Sequence, residues 1–328
     1  VIHVNTRNPD EGLQEVAKHL LVHGFTRNSR NGTVLAYGEP VMTEVTHPTE
    51  RAVLWAKRDA NPFFHVMEAL WMLHGGQDVA FVKEFNSKIV NYSDDGATFN
   101  GAYGHRWRHH FGKDQLKLIV AALKKDPQCR RQVLSMWDGH RDLGLQSKDL
   151  PCNTHAYVQI DAMDKLALTM CNRSNDLVWG AFGANVVHFT FLQEYLASAL
   201  GKEMAPYRSM SANLHCYLDI HEGLLRDLAS RDLVPSTYRS MEERERCPLM
   251  SLPVNRWQRE LDMFMADTET SFDDPFFTTV AVPMRNAWRA FKNKADPQRV
   301  DAALEHVKDI GTWDWNAACA TWLHRRLK

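Results

Sequence analysis

A chain of 328 residues with 44% hydrophobic and 24% charged side chains can bury a full core, as one large domain or two ordinary ones. Its formal charge of −1 lacks the basic excess that binding a phosphate backbone requires, which excludes nucleic acid as a primary partner, and no apolar run approaches the ~20 residues of a membrane span. Cys129, Cys152, Cys171, Cys216, Cys247 and Cys319 form no CxxC pair, show no zinc-type spacing and follow no secretory signal. They read as free thiols in a reducing cytoplasm. The histidines form neither HExxH nor a close His/Asp/Glu cluster, so no metal site is expected.

In chain order, residues 10–24 place Leu13, Val16, Ala17, Leu20 and Leu21 on one helical face, with Gly24 as a stop. Thr33–Tyr37 and Val41–Val45 are β-rich pieces separated by Gly38 and Pro40, and are predicted to pair as a hairpin. Pro62 opens an apolar helix that runs through Leu73 and is stopped by Gly75-Gly76. Glu68 stands out inside it: a carboxylate among such neighbours either points outward or is kept, with a partner, for a reason. A second helix over 78–87 and a polar loop from Asn91 to Gly101 follow.

Residues 114–125 read as a helix, and Arg130–Trp137 as a strand entered through a basic pair. Ala156–Met170 reads as a hairpin, Asn185–Leu200 as a long apolar helix and Ser209–Tyr217 as a strand. This interleaving predicts one α+β (α/β) domain over residues 1–255. From 256 to 328 the pattern is helical, near 257–266, 284–293, 297–309 and 313–327, with Trp288, Trp313 and Trp315 available for packing. A helical C-terminal extension packed on the same domain is expected. The run Glu242-Glu243-Arg244-Glu245-Arg246 reads as a solvated loop or helix face.

Asp149-Leu150-Pro151-Cys152-Asn153-Thr154-His155 precedes the predicted hairpin and Arg173-Ser174-Asn175-Asp176 follows it, so a thiol and a guanidinium meet at the ends of adjacent strands. Arginine lowers a neighbouring thiol pKa and holds phosphate, which points to a nucleophile acting on a phosphorylated small molecule. Taken singly, the cysteine would be a small buried hydrophobe and the Arg-Ser-Asn-Asp a turn.

Together, segments from about residue 26 to 220 resemble the thymidylate synthase family, including its pyrimidine deoxynucleotide hydroxymethylase branch. Gly32-Thr33 to Gly38 is similar to the family's early Gly-Thr strand, and Glu68-Ala69-Leu70-Trp71 to its helix bearing a catalytic glutamate. Tyr103-Gly104 with Trp107-Arg108 is similar to the Tyr-Gly-x-x-Trp-Arg element, and Arg130-Arg131 to the paired arginines. Cys152 occupies the nucleophile's place and Arg173-Ser174-Asn175-Asp176 that of the Arg-Ser-x-Asp phosphate and folate motif. Asn185 falls at the pyrimidine-reading asparagine if one extra residue follows Gly180. His215-Cys216-Tyr217 is similar to the His-x-Tyr that meets the sugar hydroxyl.

The resemblance implies a single thymidylate synthase-like domain with a large mixed β-sheet flanked by helices. It implies one-carbon transfer from 5,10-methylenetetrahydrofolate to C5 of a pyrimidine deoxynucleoside monophosphate, without a metal. Cys152, Glu68, Tyr103 and Asp176 would be catalytic. Arg173 and Ser174 would hold the 5′-phosphate, with Arg27 or Arg30 as a further anchor and His215 and Tyr217 at the sugar. Arg130 and Arg131 would reach the neighbouring subunit's phosphate, implying a homodimer. Asp176, Gly180, Asn91 and Trp179 would line the folate.

An amide at Asn185 suits O4 and N3–H of uracil, where the family's deoxycytidylate hydroxymethylases carry aspartate; a one-position shift would put Ala184 there instead. Residues 89–95 have no tryptophan where the synthases cover their folate, and the sequence ends Trp322–Lys328 where they end in a short apolar closing tail. A more open, polar wall favours attack by water over hydride transfer. The expected reaction is dUMP to 5-hydroxymethyl-dUMP, as in viral enzymes that supply modified nucleotides in a host cytoplasm. Thymidylate synthesis and dCMP hydroxymethylation are the alternatives, and an inactive nucleotide- or RNA-binding family member is the remote one.

Overall fold

The computed structural model describes residues 1–230, 232–241, 244, 246–268 and 271–327. Glu242, Glu243 and Glu245 of the charged run lie outside the described residues. The strands are β1 Ile2–Thr6, β2 Phe25–Ser29, β3 Gly32–Ala36, β4 Val41–Val45, β5 Val133–Ser135, β6 Asn153–Ile160, β7 Leu166–Asn172, β8 Asn175–Asp176, β9 Met204–Ser211 and β10 Leu214–Tyr217. They form a six-stranded mixed sheet, β1-β4-β9-β7-β6-β5, and a four-stranded sheet, β2-β3-β10-β8.

The helices are α1 Pro9–His23, α2 Pro62–His74, α3 Val79–Phe85, α4 Tyr103–His105, α5 Gln115–Lys125, α6 Gly139–Asp142 and α7 Ala184–Leu200. They continue with α8 Leu218–Ser230, α9 Thr237–Ser240, α10 Val254–Ala266, α11 Val282–Lys292, α12 Arg299–Val307 and α13 Trp313–His324. Helices flank both sheets, and the fold is α+β.

Local chemistry sets the helix ends. The Asn8 side chain accepts the Glu11 N–H ahead of Pro9, and Asn61 accepts the Phe64 N–H ahead of Pro62. Gly75 ends α2 at φ 98°, a left-handed conformation that costs glycine little.

Three expectations are corrected. Thr33–Tyr37 and Val41–Val45 do not pair: β3 lies between β2 and β10, whereas β4 lies between β1 and β9 in the other sheet. β4 finds an in-register parallel partner over Ile2↔Val41 to Thr6↔Val45, and Ile2 donates its N–H to Pro40 O at 3.0 Å. The short link through Gly38 and Pro40 therefore carries the chain between sheets. The predicted strand Ser209–Tyr217 likewise splits into β9 and β10, one in each sheet. Ala212 donates to Asn172 O and Asn213 O accepts from Asn175, so the break is hydrogen-bonded to the end of β7 and the start of β8. The strand expected over Arg130–Trp137 shortens to Val133–Ser135 because Trp137 N–H turns back to Thr154 O.

The main core centres on α2. Phe63 meets Trp288 of α11 and Trp322 of α13, both at 5.6 Å between ring centroids, while Val66, Leu70 and Leu73 are buried in the same cluster as Phe189 and Leu192 of α7. The helices after residue 254 thus share one core with α2. A smaller cluster joins Leu13, Val16 and Leu20 of α1 to Leu225 and Leu228 of α8. All six cysteines are unpaired.

Candidate active site

β6 begins at Asn153 and β7 ends at Asn172, so the antiparallel pair holds Cys152 and Arg173 at one end, with Arg173 N–H donating to Cys152 O at 2.9 Å. The Arg173 guanidinium is aimed by two carbonyls, Nε to Pro151 O at 2.9 Å and Nη2 to Leu150 O at 3.0 Å. This leaves Nη2 3.7 Å from Cys152 Sγ. Burial pushes the Cys152 thiol up; Arg173 pulls it down, Asp149 raises it and Arg30 lowers it.

Tyr103 reaches the same point from α4. Gly104 allows α4 to lie on α2, since a Cβ there would stand 2.2 Å from Met72 O. Tyr103 Oη accepts the backbone N–H groups of Cys152, at 3.1 Å, and Asn153, at 3.2 Å. Burial raises the phenol pKa, so it stays neutral with its own proton left to donate.

Glu68 approaches from α2. Burial, with the Asp149 charge added, pushes its carboxyl up to about 8. Its Oε2 lies 3.3 Å from Nε2 of His188 on α7. Burial pushes His188 down to about 3, against a hydrogen bond to the His65 backbone, and holds His65 far below the usual histidine range. Asp149, also raised by burial, accepts the Gly101 N–H at 2.7 Å.

Asn185 occupies the first turn of α7. Its Nδ2 donates to Asn175 Oδ1 at 3.0 Å, and Asn175 donates to Ser211 Oγ at 3.1 Å. Gly180 permits this contact, because a Cβ there would lie 2.3 Å from Asn175 Oδ1. In the turn after Gly180, Phe182 is completely buried against Gly12, and Asn185 holds its amide at Asn175. One N–H and the carbonyl of that amide remain for a ligand.

Asp176 accepts the N–H groups of Val178 and Trp179; burial pushes its carboxyl up to about 6 against those bonds. β8 pairs in parallel with β10, setting His215 beside Asp176. The His215 and Tyr217 rings meet edge-on at 5.2 Å, and Trp179, 39% exposed, lies 5.8 Å from Tyr217. Ser174 is half-buried between β7 and β8.

The remaining expected residues are less concentrated. Arg30 donates to Ser147 O at 3.4 Å and its charge acts on Cys152, whereas Arg27, exposed on β2, acts on His215. Asn91 is exposed on the turn Ser87–Tyr92. The loop after it is tied to the approach to Cys152, with Ser147 Oγ and Lys148 N–H donating to Asp94 at 2.6 and 3.0 Å. Arg130 and Arg131 stand exposed on the lead-in to β5, where Arg131 lies beside the Cys129 thiol.

Arg58, Asp149 and His188 also belong to this region, although sequence reasoning assigned them no role. Arg58 donates to Val178 O at 3.0 Å and its charge acts on Asp176. Asp149 sits within the quoted Cys152 segment, and His188 lies three residues after Asn185, on a neighbouring part of the helical face; both offered a signal. Arg58 offered none.

An arginine-flanked thiol, a buried acid and a carboxamide with polar atoms to spare thus share this two-sheet α+β frame. Residues 12–266 match the family described as thymidylate synthase, and the chain belongs to that family. It is 48% identical to the deoxyuridylate hydroxymethyltransferase of Pseudomonas phage M6 over 98% of this chain and 94% of that protein. The protein of the same name from Bacillus phage SP01 is 38% identical over 55% of this chain and 50% of that one. That from Delftia phage PhiW-14 is 32% identical over 59% and 56% respectively.

Proposed function

We propose that this chain is a deoxyuridylate hydroxymethyltransferase, converting dUMP to 5-hydroxymethyl-dUMP with 5,10-methylenetetrahydrofolate as the one-carbon donor. The observation that carries this reading is the 3.7 Å approach of Arg173 to Cys152 Sγ. The phage M6 relative supports the hydroxymethyl product.

C5 of uracil is a weak nucleophile. Addition of the Cys152 thiolate forms an S–C6 bond and sends the C5–C6 electron pair toward O4, so that C5 becomes enolate-like. Asn185 supplies an N–H for O4 and a carbonyl for N3–H. Arg173, with Ser174, favours the thiolate and binds the 5′-phosphate, and Arg30 is the better placed N-terminal anchor because its charge already acts on Cys152. Tyr103 holds the Cys152 backbone and donates into the cleft. His215 and Tyr217 take the sugar.

The folate supplies a carbon at the oxidation level of formaldehyde. The chain suits it: Asp176 presents a carboxylate to ring N–H groups, Trp179 an exposed aromatic face, and Gly180 and Asn91 line the approach. C5 would bond to that carbon and lose its proton as the carbon's bond to the folate nitrogen breaks and tetrahydrofolate leaves. The polar wall around Asp94, Ser147 and Lys148 admits water, whose oxygen bonds to the transferred carbon while Glu68, having given its own proton toward O4, takes one from the water. Cys152 then leaves C6.

A homodimer completes the reading. Val133 and Tyr157, 45% and 51% exposed, lie on the large sheet and line an open cavity of about 610 Å³ with Trp137 and Arg173. A second copy covering this face would bring its Arg130 and Arg131 to the phosphate. Helices α10 to α13 form an extension supporting α2, and the enzyme works in the cytoplasm of a phage-infected cell. Among the described residues, no helix is long and apolar enough to cross a membrane.

The test is to incubate the protein with methylenetetrahydrofolate and either dUMP or dCMP, and to weigh the product. A dUMP product heavier by CH2O, with tetrahydrofolate released, is expected. A product heavier by CH2 with dihydrofolate would overturn the hydroxymethyl assignment, and reaction with dCMP alone would overturn the uracil assignment.

A further inference from the structure

A buried carboxyl that must give and regain a proton needs a neighbour that decides where the proton sits. Glu68 has one that the chemistry above leaves unused. His188 is 5% exposed, its Nε2 lies 3.3 Å from Glu68 Oε2, and that nitrogen has no hydrogen-bond donor among the described residues. The His188 ring also bonds to the backbone of His65, one turn before Glu68 on α2. Only the backbone carbonyl can take a ring N–H, which places the His188 proton on Nδ1 and leaves Nε2 unprotonated within 3.3 Å of Glu68 Oε2.

We propose that His188 is the positioning residue of Glu68: its unprotonated Nε2 accepts the carboxyl proton at Oε2 and turns Oε1 toward the bound pyrimidine and the attacking water. The proposal rests on the assignment of Glu68 to the pyrimidine site. Two geometric facts favour it. α2 and α7 pack against each other in the main core, so the Glu68–His188 separation is set by helix packing rather than by a mobile loop. A lone pair buried without a donor is costly, and the protonated carboxyl is the donor within reach.

The charged and titratable surroundings act in the same direction. Asp149, on the loop ahead of Cys152, disfavours a second negative charge at Glu68. The His65 ring stands edge-on to His188 at 6.2 Å, and the Arg58 charge helps keep His65 neutral. Tyr103, from α4, is neutral. His188 is therefore an acceptor throughout the working pH range, stabilising the acid form of Glu68 and never the carboxylate.

Two substitutions separate the ring's two bonds. His188→Asn keeps a group near Nδ1 for the His65 carbonyl but cannot reach Glu68; His188→Gln places an amide near Nε2, where its N–H favours the carboxylate. For His188→Asn, kcat should fall about tenfold or more while KM for dUMP changes less than about threefold. In both variants the alkaline limb of kcat should move to lower pH by about one unit. Infrared difference spectra of the free protein at pH 7 should show a protonated-carboxyl band in the parent that weakens in both variants and is lost in Glu68→Gln.

An unchanged pH profile in both variants, or a carboxyl band untouched by them, overturns the proposal. The infrared measurement needs no substrate. A parent enzyme that makes another product would leave the Glu68–His188 band intact, whereas a failed inference would leave hydroxymethyl-dUMP formation intact.

Discussion

Cys152 is half-buried, and desolvation raises its thiol pKa while Arg173 opposes this from 3.7 Å. The pairing was legible because β-hairpin geometry places residues just outside two paired strands side by side. Glu68 was legible as an anomaly among apolar residues, but its meaning was not. The Oε2–His188 contact joins positions 120 apart in sequence, and neither helix alone announces it.

Burial raises the Glu68 pKa from about 4.5 in an unfolded chain to about 8 in the folded one. The folded state binds the extra proton between these values, so stability associated with this group is full below about pH 4.5, falls as pH rises and is lost by about 8. Glu68→Gln, which cannot ionise, should therefore be more stable than the parent at pH 8 by about 2–4 kcal/mol and nearly equal at pH 4.5. Urea denaturation of both proteins at the two pH values measures this; an equal difference at both would contradict the shifted pKa.

At the scale of elements, the capped helices and the β6–β7 hairpin were legible, whereas α8 and the partners of the other strands were not. Cap residues such as Asn61 and Gly75 act within a few positions, so α2 could be bounded from sequence alone. A strand's partner is a long-range choice: β3 and β4 are adjacent in sequence, yet β4 pairs with β1 and β9. The close approach of α4 to α2 is likewise invisible until Gly104 is seen under Met72 O. Gly104→Ala should push the two helices apart, costing about 1–3 kcal/mol by overpacking, and should shift Tyr103 away from the Cys152 and Asn153 N–H groups. Thermal unfolding and kcat should both fall. A variant with parental stability and turnover would show that the contact relaxes without moving Tyr103.

The whole molecule sets the remaining parts of the site. Arg130 and Arg131 stand exposed on the lead-in to β5, and the proposed dimer gives them a phosphate to bind in the other subunit. Cys152→Ala and an Arg130→Ala/Arg131→Ala double variant should each be nearly inactive. When equal amounts of the two are unfolded, mixed and refolded, the mixture should regain about a quarter of parental activity per chain: about half the dimers are hybrids, and each has one site of two that combines an intact cysteine with intact arginines. Tritium release from 5-labelled dUMP would measure it; no recovery in a mixture shown to contain hybrids would place the arginines in their own subunit's site.

The order of motifs in the sequence determined the chemistry: a cysteine, an arginine-serine pair, a buried glutamate and an amide are functional groups, and their identity does not depend on the fold. The limits of α2 were determined there too, because its caps are local. Only the tertiary structure decided which groups act on one another. The division of the strands between two sheets, the carboxamide of Asn185 held at Asn175, the Arg58 charge acting on Asp176 and His188 placed 3.3 Å from Glu68 all arise from packing between distant segments. Burial and charge, which set the state of each group, exist only once those segments have met.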